Sequence, residues 1–524
     1  MEQVVERSEK KSKSRVKSFF ASILIGILND FKDGDNEFLE LIQECLVVGA
    51  LLFLSLIFKY AVILVVFVAA LFITKHRNGK SFYLMFFLLP FLNIVRFNSS
   101  ELYYSVYLWC ILLIALGIKL LKDIITKRKK LNFFFTIMCG VLAIYFILPF
   151  GQFDFTCHGA VYLSLAILYV AYYYASEFKF KQIVYVFGLG IILASIFGLF
   201  RPLFSRAQEI IPEIGDIGIR FIGCSNDPNY YSGDLLLLLS GLMLLYCTKQ
   251  INYSFYLAIL PITIFCLMSL SKMALGIYAV IMVVFCLYLL LKNRTWKAVK
   301  NCMIMFLVVV VAAGVCFRQV NLLFKRLTRG DDGLKDSIEV VEPNKGNKDP
   351  GFIENVDDVQ DGQTSSYVFK NNRLTVLTTG RTNIWISYLE KSTDSVIHVL
   401  FGHGIGAPFI YCDNGYKTAY FAEHNTFVQM IYRLGVIGVA LVALTIISVC
   451  KKENFKKFKF YNIFTLLVVF GLFMSLCNLL SFRISLYLIF VAMSLVPVSE
   501  NESMENSYKR DGELYEVNNN SSSV

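Results

Sequence analysis

The chain has 524 residues, 56% of them hydrophobic and only 17% charged. Apolar runs of span length recur along most of it, more than one soluble core can absorb, so the composition argues against a globular soluble protein. The formal charge of +11 is gathered in clusters at the ends of apolar runs, a pattern that orients a membrane protein rather than binding nucleic acid.

The first seventeen residues are polar and include six basic ones. A brief apolar stretch, Phe19 to Leu28, follows; it is short for a span and suited to the membrane interface. No cleavable signal peptide is expected. Hydropathy then places spans near 44–58, 60–74, 81–97, 101–121, 131–150, 158–175, 182–200, 231–247, 253–269, 271–292, 300–317, 424–450, 459–478 and 480–497. In hydrocarbon every backbone polar group must be bonded within the protein, so these spans are expected to be helices.

With fourteen spans, the turn at His76 to Lys80, the run Lys127-Arg128-Lys129-Lys130, the stretch 292–300 and the stretch 451–459 all fall on one side. That side is cytoplasmic by the positive-inside rule, and both termini join it. The expected organisation is a cytoplasmic segment 1–40, a helix bundle 41–317 with an outer loop at 201–230, a large outer loop 318–423, C-terminal spans 424–497 and a polar cytoplasmic tail 498–524. The fold class is an all-α polytopic membrane protein of about 12–14 spans. The thirteen cysteines are scattered with no CxxC pair, which argues against a disulfide or structural metal framework.

The large loop has two parts. Residues 331–361 carry ten acidic and three basic residues and read as a weakly ordered insert. Residues 379–395 read as a short amphipathic helix with Trp385, Ile386 and Leu389 on one face. Gly402-His403-Gly404-Ile405-Gly406 follows as a tight turn. It has no GK[ST] ending and no preceding strand pattern, so it is not a nucleotide loop.

Several side chains of this outer region suit chemistry on a phosphorylated substrate. Arg381 offers a fixed fork of donors to phosphate oxygens. Arg220 is a second candidate, ahead of a turn formed by Asp227, Pro228 and Asn229. Lys272 stands at a predicted outer span end, where a phosphate contact and simple snorkelling are equally open. Arg326 and Arg329 are weaker candidates. His424, at the mouth of a span beside Glu423 and Asn425, has the residue type to accept a proton near neutral pH, and an interfacial or capping role is the bland alternative. Arg433 lies inside that span, where a charge is costly unless it meets a polar environment. Arg483 lies near the outer end of the last span, where snorkelling accounts for it.

Arg220-Phe-Ile-Gly with Asp227-Pro228-Asn229, Ser269-Leu270-Ser271-Lys272, Gly380-Arg381 with Trp385, Gly402 to Gly406, and His424-Asn425 with Gly435 and Gly438 follow one another in an order that resembles the bacterial O-antigen ligase and O-antigen or capsular polysaccharide polymerase family. The resemblance covers roughly 180–450. It implies a fold like that of other membrane glycosyltransferases with polyprenyl-linked donors (GT-C-like). It also implies transfer of a glycan from undecaprenyl diphosphate to an acceptor hydroxyl at the outer face of the bacterial cytoplasmic membrane, with no metal and no cofactor. Arg381 and Arg220 match family arginines thought to hold the diphosphate, and His424 matches the proposed general base. Lys272, Glu423, Asn425, Asp227, Asn229, Arg433, Trp385 and His403 are the accompanying substrate-binding candidates. Lys272 departs from the arginine many relatives carry there, and the acidic insert makes the loop longer than usual.

The partners expected are the undecaprenyl-diphosphate-linked oligosaccharide, membrane lipid, and other polysaccharide assembly proteins such as a flippase and a chain-length regulator. A polymerase acting on a lipid-linked acceptor is the favoured reading. A ligase with the same residues is the nearest alternative, and a repeat-unit flippase the next. A flippase should place its charges near the midplane, whereas most polar candidates here gather at one face.

Overall fold

The computed structural model describes residues 36–58, 60–75, 79–91, 102–126, 128–147, 155–200, 220–225, 227–293, 295–322, 380–413, 418–451, 459–477, 479 and 483–495. The chain is an all-α polytopic membrane protein. In chain order the helices are α1 (Asn36–Ser55), α2 (Ala61–Lys75), α3 (Tyr83–Leu88), α4 (Leu102–Ile125), α5 (Phe133–Ile147), α6 (Phe155–Tyr174), α7 (Phe180–Phe200), α8 (Pro228–Cys247), α9 (Tyr253–Met268), α10 (Lys272–Asn293) and α11 (Trp296–Val315). After the long loop come α12 (Arg381–Ser392), α13 (Val396–Phe401), α14 (Thr426–Lys451), α15 (Ile463–Ser475) and α16 (Arg483–Ser494). A two-stranded antiparallel hairpin, β1 (Ile410–Asp413) with β2 (Thr418–Phe421), interrupts the helical pattern; Tyr411 pairs with Tyr420.

Six helices among the described residues are long and apolar enough to cross a bilayer: α1, α7, α8, α10, α11 and α14. Shorter apolar helices, including α2, α5, α9, α15 and α16, complete the bundle. The central member is α8, whose residues Tyr231 to Leu245 are buried without a break. At the periphery α11 turns Met303, Phe306, Leu307 and Val310 outward, apolar side chains that suit lipid contact.

The stretch expected as a span at 81–97 is different. Among its described residues it is a 3₁₀ turn (Gly79–Phe82), the six-residue α3 and a second 3₁₀ turn (Leu89–Phe91). Phe82 to Phe91 are buried throughout. This run is apolar because protein surrounds it. Its backbone sits so close to α7 that a side chain at Gly190 would strike the Phe87 carbonyl.

Arg483 does not snorkel. It is 3% exposed, and its Nη1 donates to both oxygens of Asp234 on α8, at 2.8 and 2.7 Å. Tyr487 donates to the same carboxylate at 2.8 Å, and the guanidinium lies over the Tyr230 ring. A buried charge is tolerable only when paired and hydrogen-bonded, so this cluster ties α16 to α8.

The amphipathic helix expected at 379–395 spans Arg381–Ser392, and its inner face differs from the one expected. Ile384, Tyr388 and Ser392 are buried, whereas Leu389 is 40% exposed. Spacing by four places these three residues on one stripe. Tyr388 anchors it: its ring buries a large area, and its hydroxyl donates to the Phe421 carbonyl at 2.7 Å and accepts from the Ile410 amide at 3.1 Å. Around it the loop builds its own small core from Ile384, Ala407, Cys412, Val428 and Tyr432, with Trp385 packed alongside. The acidic insert 331–361, Arg326, Arg329, the segment 1–35 and the tail lie outside the described residues.

Candidate active site

Three residues at the end of α15 organise the candidate site. The Ser475 carbonyl accepts from Arg381 Nη1 at 2.8 Å. The Leu476 carbonyl accepts from Thr426 Oγ1 at 2.6 Å. The Cys477 carbonyl accepts from the Tyr230 hydroxyl at 2.9 Å, and Cys477 Sγ accepts from the His424 amide at 2.9 Å. The last carbonyls of a helix have no partner inside it. Here the 475–477 turn draws the starts of α8, α12 and α14 to one end of the bundle.

His424 is held in the left-handed backbone region, with φ of 48°. Such a conformation costs a non-glycine residue about 1–3 kcal/mol and persists only where its surroundings impose it. Its neighbours show what imposes it. Glu423 is fully buried. Asn425 caps α14, its Oδ1 accepting from the Phe427 and Val428 amides at 2.8 and 3.1 Å. His424 sits on the sharp bend between them. Burial, and then the Arg381 charge, push its imidazole down to about 4, while Asp227 pulls the other way. The ring is therefore neutral at pH 7 and able to accept a proton.

A second group adjoins it. Asp227 caps α8 by accepting from the Asn229 amide at 2.6 Å. The Asn229 Oδ1 accepts from Ser271 Oγ at 2.6 Å. Arg220 Nε donates to the Ser269 carbonyl at 2.9 Å, and the Phe221 amide donates to the Met268 carbonyl. Leu270, between the two serines, is another non-glycine residue at positive φ, 50°. Lys272 then opens α10. The pieces quoted from 220–229 and 269–272 thus meet each other, and through Tyr230 they meet the turn that holds Arg381 and His424. One turn after Arg381, the Trp385 Nε1–H is buried and has no hydrogen-bond acceptor among the described residues.

Glu423 and Arg433 have another arrangement from that of free substrate-binding charges. Arg433 Nε donates to Glu423 Oε1 at 2.7 Å, and both side chains are at most 1% exposed. Gln429 Nε2 donates to the second Glu423 oxygen at 3.2 Å, and Arg433 Nη1 donates to the Ile405 carbonyl. The pair is an internal brace between the hairpin exit, α14 and the glycine turn.

That turn has a structural reason. Helix α14 breaks at Gly435 (φ 61°), which frees carbonyls that a continuous helix would use. The Tyr432 carbonyl accepts from the His403 amide at 2.8 Å, and that of Arg433 from the Gly404 amide at 3.0 Å. The Tyr145 hydroxyl donates to the Leu434 carbonyl. Gly402 lies so near the break that a Cβ on it would stand 2.5 Å from the Arg433 carbonyl. His403 is fixed here, its ring stacked on Tyr432 and its Nε2 3.0 Å from the Lys391 carbonyl. Nothing printed in the sequence distinguishes Ser475, Cys477 or Gln429 as partners of the site; their roles come from the fold. Tyr230 was within reach, as the residue after Asp227-Pro228-Asn229.

No curated protein and no solved structure matches the chain. Residues 257–443, which run from α9 through the long loop to a point beyond the break in α14, match the family model described as O-antigen ligase. The segment includes Lys272, Arg381, His424 and Arg433, and over it the chain is similar to the O-antigen ligase family.

Proposed function

We propose that the protein is a polysaccharide polymerase. It transfers a glycan from an undecaprenyl-diphosphate-linked donor to a hydroxyl of a lipid-linked acceptor oligosaccharide at the outer face of the bacterial cytoplasmic membrane. The observation that carries this reading is the joint anchoring of Arg381 and His424 on the 475–477 turn, with His424 in a strained backbone and within the electrostatic reach of Arg381 and Asp227.

In this reading the bond from the anomeric carbon to the diphosphate oxygen breaks, and the electron pair leaves with the diphosphate. Arg381, Arg220 and Lys272 take up the charge that develops on its oxygens. The Trp385 N–H supplies a further donor. The acceptor oxygen attacks the opposite face, which inverts the anomeric centre, and its proton passes to His424. The low basicity of His424 in the free protein follows from burial and from Arg381. A bound diphosphate neutralises Arg381, so donor binding raises the proton affinity of His424 as the base is needed.

Cells lacking the gene are expected to make single repeat units on the acceptor and no ladder. An intact ladder retained on the lipid carrier would instead identify a ligase and overturn the polymerase reading. The same ladder assay tests the proposed cooperation with a flippase and a chain-length regulator, since loss of the latter should shift ladder length without abolishing growth.

A further inference from the structure

A cluster of metal-ligating side chains lies in the loop ahead of α14, outside the group that joins Arg381 to His424. Asp394 occupies the turn between α12 and α13, His398 the first turn of α13, and His403 the glycine turn. One donor atom from each lies within 4.8 Å of the others. We propose that Asp394, His398 and His403 form a site for a divalent transition ion of the zinc class, which pins α12, α13 and the glycine turn together.

Two imidazoles and one carboxylate are a donor set that suits Zn²⁺ with further positions open to water. Its bonds of about 2.0–2.2 Å require donors somewhat closer than 4.8 Å, a gap that rotation of the partly exposed Asp394 and His398 closes. The surroundings resemble a metal site's outer shell. His403 Nε2 faces the Lys391 carbonyl at 3.0 Å. With the proton on that nitrogen, Nδ1 carries the lone pair, and the carbonyl fixes tautomer and ring direction, as outer-shell acceptors do for ligating histidines. The His403 ring is further held between Tyr432 at 4.6 Å and His398 at 3.7 Å, centroid to centroid. Ser395 accepts from the His398 amide at 3.1 Å and sets the start of α13. His398 Nδ1 and Asp394 Oδ1 share a hydrogen bond, and an ion held by both takes the place of its proton.

One neighbour opposes the ion. Lys391 Nζ lies 2.9 Å from Asp394 Oδ2, and a cation arriving there must displace it. This gives the proposal a signature that a plain ion-pair cluster lacks: removing Lys391 should tighten metal binding. The glycine turn is bonded to the carbonyls freed by the break in α14, so an ion here would stiffen the loop against that helix.

The test uses the full chain purified without a histidine tag, in lipid nanodiscs, stripped with chelator and titrated calorimetrically with ZnCl₂ in the absence of any donor or acceptor glycan. One equivalent per chain is expected. D394N, H398Q and H403Q should each weaken binding about tenfold or more, K391Q should strengthen it, and H158Q should leave it unchanged. Co²⁺ added to the unmutated protein should give the visible bands of a nitrogen- and oxygen-ligated site, a readout independent of whether a variant folds. Absence of saturable Zn²⁺ binding, or binding indifferent to all three substitutions, overturns the proposal. Because no glycan is present, that result leaves the glycosyltransferase reading untouched.

Discussion

Replacing Arg433 by methionine separates a brace from a substrate contact. Arg433 and Glu423 are 1% and 0% exposed and joined at 2.7 Å. Methionine keeps the apolar stem but leaves the Glu423 carboxylate buried, with hydrogen bonds from the Gln429 amide and, weakly, the Cys477 thiol. Breaking a buried pair from one side costs about 3–5 kcal/mol, because the remaining charge has lost its counterion. The variant also gives up the bond to the Ile405 carbonyl, for which a charge-assisted hydrogen bond is worth about 1.5–3 kcal/mol. Removing both charges, in E423Q/R433M, should recover part of the loss, leaving the double variant more stable than the sum of the singles by about 1–3 kcal/mol. The assay is unfolding of detergent-solubilised protein across the four members of the cycle, with initial rates on lipid-linked donor for those that fold. A brace predicts a stability defect in R433M and an unchanged KM in the double variant. Wild-type stability in R433M, or a folded double variant whose KM rises tenfold, would refute the reasoning.

Gly435→Ala forces a Cβ to within 2.5 Å of the Gly402 amide at φ 61°, so a sharp fall in the yield of monodisperse protein is expected on size-exclusion chromatography. Asn425→Ala removes the α14 cap and should cost about 0.5–2 kcal/mol, while Asn425→Asp, which can still accept from both amides, should retain most of it in the same unfolding assay. His424 has its proton affinity lowered in the folded protein, so below pH 6.5 the unfolded chain takes up a proton that the folded one refuses. This group therefore costs stability increasingly as pH falls from 6.5 towards 4, and H424Q should lose less stability than wild type between pH 7 and pH 5. In activity, the acid limb of kcat/KM should lie near 4, and the His424 imidazole followed by NMR in R381Q should titrate above its wild-type position because one cause of the depression is gone; a titration unmoved by R381Q would contradict the proximity of the two groups.

The helical membrane fold was legible because hydropathy reports burial in lipid directly. The segment 81–97 shows the limit: Phe82 to Phe91 are as apolar as a span, and only the fold shows that they are enclosed by neighbouring helices. Arg483 and Arg433 show the same limit for charge. Their positions in spans signalled something costly, but their partners Asp234 and Glu423 lie 249 and 10 residues away in the chain, and pairing at such distances has no local signature. The residues quoted from 220–229, 269–272, 381 and 424 were legible as candidates from their charge and placement at one face. What joins them, the 475–477 turn, is backbone carbonyls and a thiol, groups that carry no mark in a sequence. The His398–His403 cluster was missed because Asp394 precedes, and His398 lies on, an exposed helix of only six residues, and the glycine turn drew attention to its backbone instead.

The most direct measurement gives the purified protein in lipid nanodiscs an undecaprenyl-diphosphate-linked oligosaccharide and follows product size, comparing wild type with R381A and H424A at matched folded protein. Chain growth in wild type and its loss in both variants is the predicted result. Undiminished chain growth in both variants would contradict the account.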